Sequence, residues 1–230
     1  MFYHVRIKKK IISAIIFILA TLLVIYLIKG QITENVFQAS LDEAIYFTDT
    51  ENKIVSFTFD IFVGADYVDE ILTLLQQYNV KSTFFVTGHW VEENPELAVS
   101  ISARHELGSS GYSIKRFKDL SNSELINDFE ECRRVFLEIS GREPEYFRPP
   151  YGEYDERIVA LARDYNQKVI LWSIETKDWT AKTMEEMLSN IMGKLHPGGI
   201  LIFRASSAKT VMILPLVIAA LTESGYHVVP

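Results

Sequence analysis

Charged side chains that could do chemistry stand at or near the ends of four short apolar runs in the sequence. The run IVSFTFD ends at Asp60, YFRPPYG contains Arg148, LWSIETKDW contains Asp178 and GGILIFRAS contains Arg204. A carboxylate beside an arginine is suited to proton transfer or to a buried ion pair. We favour an ion pair of Asp60 with Arg148 or Arg204 over a role for Asp60 as a general base.

The elements that must position these residues alternate between strands and helices from residue 54 onwards. Helix-start signals include Asp66 with Asp69, Asn94-Pro95, Ser121 with Glu124 and Thr183 with Glu186. The predicted strands are 54–60, 82–88, 105–108, 146–149, 168–174, 199–205 and 226–229. Seven strands alternating with helices predict a parallel sheet, most simply a seven-stranded (β/α) barrel of the α/β class. In such a barrel, functional side chains gather at the carboxyl ends of the strands.

The charge balance and the cysteine content exclude some partners and sites. Residues 31–230 carry 18 Lys or Arg against 30 Asp or Glu, and the chain has one cysteine, Cys132. An acidic domain is a poor partner for nucleic acid, whose phosphates require a basic surface. A single cysteine excludes an intrachain disulfide and a multi-cysteine zinc site. Because Cys132 lies on an apolar helical stripe, we predict a packed core thiol.

The amino end has the composition of a membrane span. Residues 11–28 hold no charged side chain, and as a helix they would be about 27 Å long, close to the thickness of a bilayer core. Basic residues precede this run, which places the amino end in the cytoplasm. We predict a basic tail at 1–10, a transmembrane signal anchor at 11–28, a linker at 29–52 and an extracytoplasmic domain at 53–230. A cleaved signal peptide is the alternative.

Six segments in a fixed order resemble the polysaccharide deacetylase domain of carbohydrate esterase family 4, also called the NodB homology domain. They are IVSFTFD, STFFVTGHW, HELGSSGY, YFRPPYG, LWSIETKDW and GGILIFRAS. The resemblance covers residues 54–230, and RPPYG is its most specific part. It implies a deformed seven-stranded (β/α) barrel that removes N-acetyl groups from chitin-like or peptidoglycan sugars. The chain is similar in particular to membrane-anchored, sporulation-associated members from Gram-positive bacteria, which implies a location at the cell surface or the spore envelope.

The resemblance also implies roles for single positions, and most of these have lost the residue type that the role needs. Members of the family hydrolyse an amide with a divalent metal such as zinc, held by one Asp and two His, with a second Asp as base and a late His as acid. The base position is Asp60, the metal-ligand positions are Ile61, Ser110 and Ile114, and the acid position is Arg204. Isoleucine has no lone pair, serine is a poor zinc ligand, and arginine stays protonated near neutral pH. We therefore predict that no metal cofactor is bound.

Other positions of the motifs are retained. Arg148 and Asp178 are predicted remnants of the catalytic set, with Glu175 as an alternative to Asp178. Tyr151 and Trp179 are predicted to contact sugar rings if they are exposed, although burial is the more common fate of aromatic side chains.

Two functions remain open from the sequence. The first is a catalytically inactive deacetylase-like protein that binds cell-wall glycan, or a protein partner in the membrane or wall. The second is an active carbohydrate or peptidoglycan N-deacetylase with an altered or metal-free site. A substitute metal site on Asp60 and His89 would lack the three or four converging ligands that zinc takes.

Overall fold

A single parallel β-sheet forms the centre of the domain. The computed structural model describes Thr21 and residues 44–230. Within that part of the chain the strands are β1 (Ile54–Ile61), β2 (Thr83–Val86), β3 (Glu106–Ser109), β4 (Tyr146–Phe147), β5 (Lys168–Val169), β6 (Ile174–Glu175), β7 (Gly199–Arg204) and β8 (His227–Val229). Their order is β5-β4-β3-β2-β1-β7-β6, and β8 pairs with β1 outside this path. This curled parallel sheet confirms the predicted deformed (β/α) barrel.

Seven α-helices connect the strands in the described residues. They are α1 (Val68–Gln77), α2 (Gly88–Glu93), α3 (Pro95–Ser102), α4 (Asn122–Ser140), α5 (Glu156–Asp164), α6 (Met184–Gly193) and α7 (Ala208–Glu223). The predicted capping box of Ser121 and Glu124 is present, and Pro95 stands at the start of α3 as predicted. The first helix differs, because Tyr67 precedes it without a side-chain cap bond and Asp66 plays no capping part.

The two faces of β1 separate the apolar core from the polar interior of the barrel. Because side chains alternate along a strand, Phe57, Phe59 and Ile61 share one face, and all three pack in the main apolar core. Thr58 and Asp60 share the other face, where both accept hydrogen bonds from Arg148. The strand thus delivers Asp60 to the interior at its carboxyl end.

The single strand predicted over 168–174 is two short strands in the structure. Strand β5 pairs with β4 and β6 pairs with β7, so the sheet is open between β5 and β6. Between them, the guanidinium of Arg148 donates to the carbonyl oxygens of Ile170 at 3.1 Å and Leu171 at 2.9 Å. These two carbonyls are therefore satisfied by a side chain from elsewhere in the sequence and not by the backbone N–H groups of a neighbouring strand.

Residues 44–48, which we call the barrel strap, contact the sheet at this opening. The backbone N–H of Ile45 donates to Val169 at 2.8 Å, and the N–H of Leu171 donates back to Ile45 at 2.7 Å. Further along, the N–H of Thr48 donates to the carbonyl of Gly198 at 2.8 Å. This part of the predicted linker therefore packs on the domain.

The predicted core thiol is confirmed, whereas the predicted localisation is not. Cys132 is buried in the main core, and burial raises the pKa of its thiol to about 12. Across Thr21 and residues 44–230, no helix has the length and apolar character needed to cross a bilayer. The tail at 1–10 and, except for Thr21, the anchor at 11–28 lie outside the described residues. The finding contradicts the predicted single-pass membrane localisation, which rested on the length of one apolar run, and we withdraw it.

Candidate functional site

A cavity of about 390 Å³ lies at the carboxyl ends of β1, β6 and β7. Asp60 and Arg204 are paired in register at the ends of β1 and β7, and both line it. The lining also includes Phe62, Val63, Ile114, Tyr151, Trp172, Glu175, Trp179, Ile202 and Ser206. The structure therefore brings together Asp60, Arg204, Tyr151 and Trp179, which the sequence had singled out in four separate motifs.

A buried ion pair holds Asp60 on the floor of the barrel interior. The guanidinium of Arg148 donates to Asp60 Oδ1 at 2.8 Å and to Thr58 Oγ1 at 2.9 Å, and it lies 4.0 Å over the ring of Phe85. The Arg148 side chain is fully buried, and that of Asp60 is 10% exposed. Burial raises the pKa of the Asp60 carboxyl above its usual value, and the charges of Arg148 and Arg204 oppose that rise. Of the two candidate arginines, Arg148 makes the ion pair.

Arg204 occupies the wall of the cavity in a different way. Its guanidinium carbon lies 3.9 Å from the centre of the Trp179 ring, a cation–π contact. Its backbone N–H donates to Asp178 Oδ2 at 2.6 Å. The side chain itself is exposed. Trp179 and the backbone bond to Asp178 thus fix where β7 ends and where the arginine stands.

Asp178 does not line the cavity, and its carboxylate is hydrogen-bonded to neighbouring protein groups. The carboxylate is buried, and Oδ2 accepts a second bond from the hydroxyl of Thr210 at 2.6 Å. Burial raises the pKa of this carboxyl, although the hydrogen bonds of Thr210 and Arg204 oppose the rise. Glu175, the alternative considered for its role, does line the cavity.

The three predicted metal-ligand positions do not form a ligand set. Ile61 packs in the apolar core, and the buried Ser110 hydroxyl has no hydrogen-bond partner. Only Ile114 lines the cavity, with 37% of its surface exposed. His89 stands on α2 with its ring 3.7 Å from Glu93, and it does not line the cavity.

A divalent metal, which the family resemblance implies, does not fit these residues. Zinc in proteins takes thiolate, imidazole or carboxylate ligands, usually three or four of them. The positions above offer two hydrocarbon side chains and one neutral hydroxyl. Among the described residues, no three His, Cys, Asp or Glu side chains are grouped so that they could hold a metal ion.

The RPPYG motif presents an aromatic ring at the mouth of the cavity. Tyr151 is 60% exposed, and its φ of 65° is left-handed, which is uncommon for an aromatic residue. Gly152 follows with a φ of 69°, and a Cβ there would lie 2.7 Å from the Trp172 ring. The absence of a Cβ at Gly152 therefore lets Trp172 pack against the turn. The preceding Tyr151, with its strained backbone, keeps its side chain exposed. Such strain concentrates at functional sites.

The sequence motifs did not single out Phe62, Val63 and Ser206 as lining residues. Val63 is 64% exposed, although it lies only two residues after the buried end of β1. The sequence signal that could have found it is the apolar run that continues past Asp60, where the predicted strand ends. Ser206 lies in the turn two residues after Arg204, the last residue of β7.

More than half of the chain matches a known protein family. A family described as Polysaccharide deacetylase matches residues 48–170. The chain belongs to the polysaccharide deacetylase family. It is 25% identical over 202 residues to the uncharacterized protein YlxY of Bacillus subtilis (strain 168), covering 87% of this chain and 63% of that protein. It is 30% identical over 161 residues to a peptidoglycan-N-acetylglucosamine deacetylase of Bacillus cereus, covering 69% of this chain and 58% of that protein.

Solved structures of the family share this fold. The chain matches the wild-type BA3943 of Bacillus anthracis, described as a family 4 carbohydrate esterase pseudoenzyme, with a TM-score of 0.78 and 31% identity. The match covers 81% of this chain and 66% of that one. A BA3943 mutant described as having restored enzymatic activity matches with the same TM-score and 32% identity. The chain spans less than two thirds of the length of the two curated relatives given above.

Proposed function

We propose that this chain is a non-catalytic, glycan-binding member of the polysaccharide deacetylase family. The observation that carries the proposal is the residue set at the implied metal-ligand positions, Ile61, Ser110 and Ile114, none of which is a metal ligand of useful strength. Without a bound metal, a water molecule in the cavity keeps its high pKa and is a poor nucleophile. Arg204, at the implied acid position, does not release a proton to a leaving group near neutral pH.

The aromatic rim of the cavity supports binding of a sugar. Tyr151, Trp172 and Trp179 line it, and their rings offer flat apolar surfaces with little loss of conformational entropy. Polar side chains at Asp60, Glu175 and Arg204 supply hydrogen-bonding groups beside these rings. A mostly preformed cleft with aromatic walls and a few polar groups is typical of small-ligand sites.

The relatives support the same proposal. One similar protein is named for deacetylation of peptidoglycan N-acetylglucosamine, and BA3943 is described as a pseudoenzyme. A family scaffold that keeps its cavity and loses its chemical groups is suited to recognise the polymer without cleaving an amide. We therefore propose cell-wall glycan as the ligand class.

The first experiment measures acetate release by the purified full chain from N-acetylglucosamine oligomers and from peptidoglycan, with zinc or cobalt added. We expect no release above the protein-free blank. Metal-dependent release that disappears in Asp60→Asn would show an active deacetylase and overturn the proposal.

The second experiment measures glycan binding by isothermal titration calorimetry. We expect Trp179→Ala and Tyr151→Ala to weaken binding about two- to tenfold each, because a stacked aromatic contact contributes about 0.5–1.5 kcal/mol and 1.4 kcal/mol corresponds to tenfold. Tyr78→Ala is the matched control, since Tyr78 is also exposed but does not line the cavity. Binding to no glycan, or equal weakening by the control, would count against the proposal.

A further inference from the structure

We infer that the cavity selects a sugar that carries a carboxylate, and that the guanidinium of Arg204 is the group that binds it. This inference rests on the proposed glycan-binding function and names the class of glycan. It follows from the geometry of Arg204, from the charges around the cavity and from the position of Ser206.

The geometry leaves the hydrogen-bonding edge of Arg204 free. One face of its guanidinium lies against Trp179 at 3.9 Å, and a stacking contact of this kind uses none of the five N–H donors. In the part of the chain that the structure describes, this guanidinium makes no ion pair or side-chain hydrogen bond. A planar fork that is held in place and has free donors matches the two oxygens of a carboxylate.

The charges around the cavity leave Arg204 as the cation that is free for a ligand. The carboxylate of Asp60 is paired with Arg148 at 2.8 Å. The carboxylate of Asp178 is buried outside the lining and accepts bonds from the Arg204 backbone and from Thr210. The positive charge at the cavity wall is therefore not cancelled by a direct partner.

Glu175 is the one other acid that lines the cavity, and it limits the charge of the ligand. A dianion such as a phosphate monoester would meet one arginine and be repelled by one glutamate. A monoanionic carboxylate needs only the one guanidinium, and the hydroxyls of a sugar ring can donate to Glu175. Ser206 lines the same wall two residues after Arg204 and supplies a further donor.

We consider two kinds of cell-surface sugar that carry such a group, and the oligomers used in the titrations distinguish them. In one, the carboxylate is on a lactyl ether, as in N-acetylmuramic acid. In the other, it is on the ring itself, as in a uronic acid. Titrations of the full chain would use oligomers of equal length: N-acetylglucosamine alone, N-acetylglucosamine alternating with N-acetylmuramic acid, and a glucuronic acid oligomer.

We expect at least one acidic oligomer to bind about tenfold more tightly than the neutral one at low salt, and this preference to shrink as sodium chloride is added. The preference should disappear in Arg204→Met, which keeps an apolar stem against Trp179 but has no charge. It should be reduced in Arg204→Lys, which keeps the charge but loses the planar fork. Glu175→Gln should strengthen binding of the acidic oligomer about two- to fivefold, because it removes a negative charge beside the ligand.

Lys118→Met is the matched control, because it removes an exposed positive charge that does not line the cavity, and it should leave the preference unchanged. If the wild-type chain binds neutral and acidic oligomers equally, or if Arg204→Met keeps the preference, the inference is wrong while the proposed function stands. If no oligomer binds, the proposed function itself fails. The salt dependence and the wild-type preference test the inference even if a variant does not fold.

Discussion

Replacement of Arg148 by methionine is the most informative perturbation of the fold. The side chain is fully buried and donates four hydrogen bonds: to Asp60, to Thr58 and to the carbonyls of Ile170 and Leu171. Methionine fills much of the same volume but has no donor. The variant therefore leaves one buried carboxylate without a counter-ion and two carbonyls without their donor.

The expected cost is large compared with the stability of a domain. Removal of one partner of a buried ion pair costs about 3–5 kcal/mol, and each orphaned carbonyl adds about 1–3 kcal/mol, although such losses are not strictly additive. We expect Arg148→Met to lower the free energy of unfolding by at least about 4 kcal/mol. Because domains are usually stable by about 5–15 kcal/mol, the variant should be marginally folded at room temperature.

The assay is chemical denaturation followed by tryptophan fluorescence, with Arg134→Met as control. Arg134 forms ion pairs with Glu92, Glu131 and Glu138, but it is exposed, so solvent screens these pairs and its loss should shift the midpoint far less. The double variant Asp60→Asn/Arg148→Met should be more stable than Arg148→Met, because it removes the orphaned charge.

The dependence on pH gives an independent check of the same reasoning. Without Arg148, burial acts unopposed by that charge and the pKa of the Asp60 carboxyl rises further. A group whose pKa is raised in the folded state favours folding at low pH and loses that contribution as pH increases. Arg148→Met should therefore be less destabilising at pH 4 than at pH 7. The reasoning would be refuted if Arg148→Met lowered the free energy of unfolding by less than about 1 kcal/mol. It would also be refuted if Asp60→Asn did not change the effect of Arg148→Met, because the variant would then leave no uncompensated carboxylate in the interior.

Three further predictions concern other parts of the domain. Gly198→Ala should lower the free energy of unfolding about 1–2 kcal/mol more than the control Gly141→Ala in urea titrations. Both glycines have a left-handed φ, but of the two only Gly198 would bring a Cβ against a backbone atom, the carbonyl oxygen of Thr48. Burial and two nearby positive charges lower the pKa of His105 from 6.5 to about 4. The stability that the neutral imidazole contributes is therefore present above pH 6.5 and is lost as pH falls towards 4. In thermal melts, the melting temperature of His105→Phe should vary less with pH across that range than that of the wild type. Ser121→Ala should cost about 1 kcal/mol in denaturant titrations, since it removes the N-cap of α4.

Features that depend on neighbouring residues were predictable. The order of strands and helices follows from local apolar patterns, and the capping box at Ser121 joins residues three apart. The split of the strand predicted over 168–174 was not predictable, because the donors that satisfy Ile170 and Leu171 come from Arg148 in another motif. The exposed apolar wall at Val63 was missed for a related reason, since burial depends on what the rest of the chain places above it.

The amino-acid sequence by itself determined the family, and it placed Ile61, Ser110 and Ile114 at the positions where the family resemblance implies metal ligands, because both depend only on residue types in a fixed order. Only the tertiary structure decided that Asp60 pairs with Arg148, that Arg204 lies on Trp179 and that Ile61 packs in the core while Ile114 faces the cavity. These outcomes depend on distances and side-chain directions between segments far apart in the chain, and those are set when the sheet curls and its faces are buried.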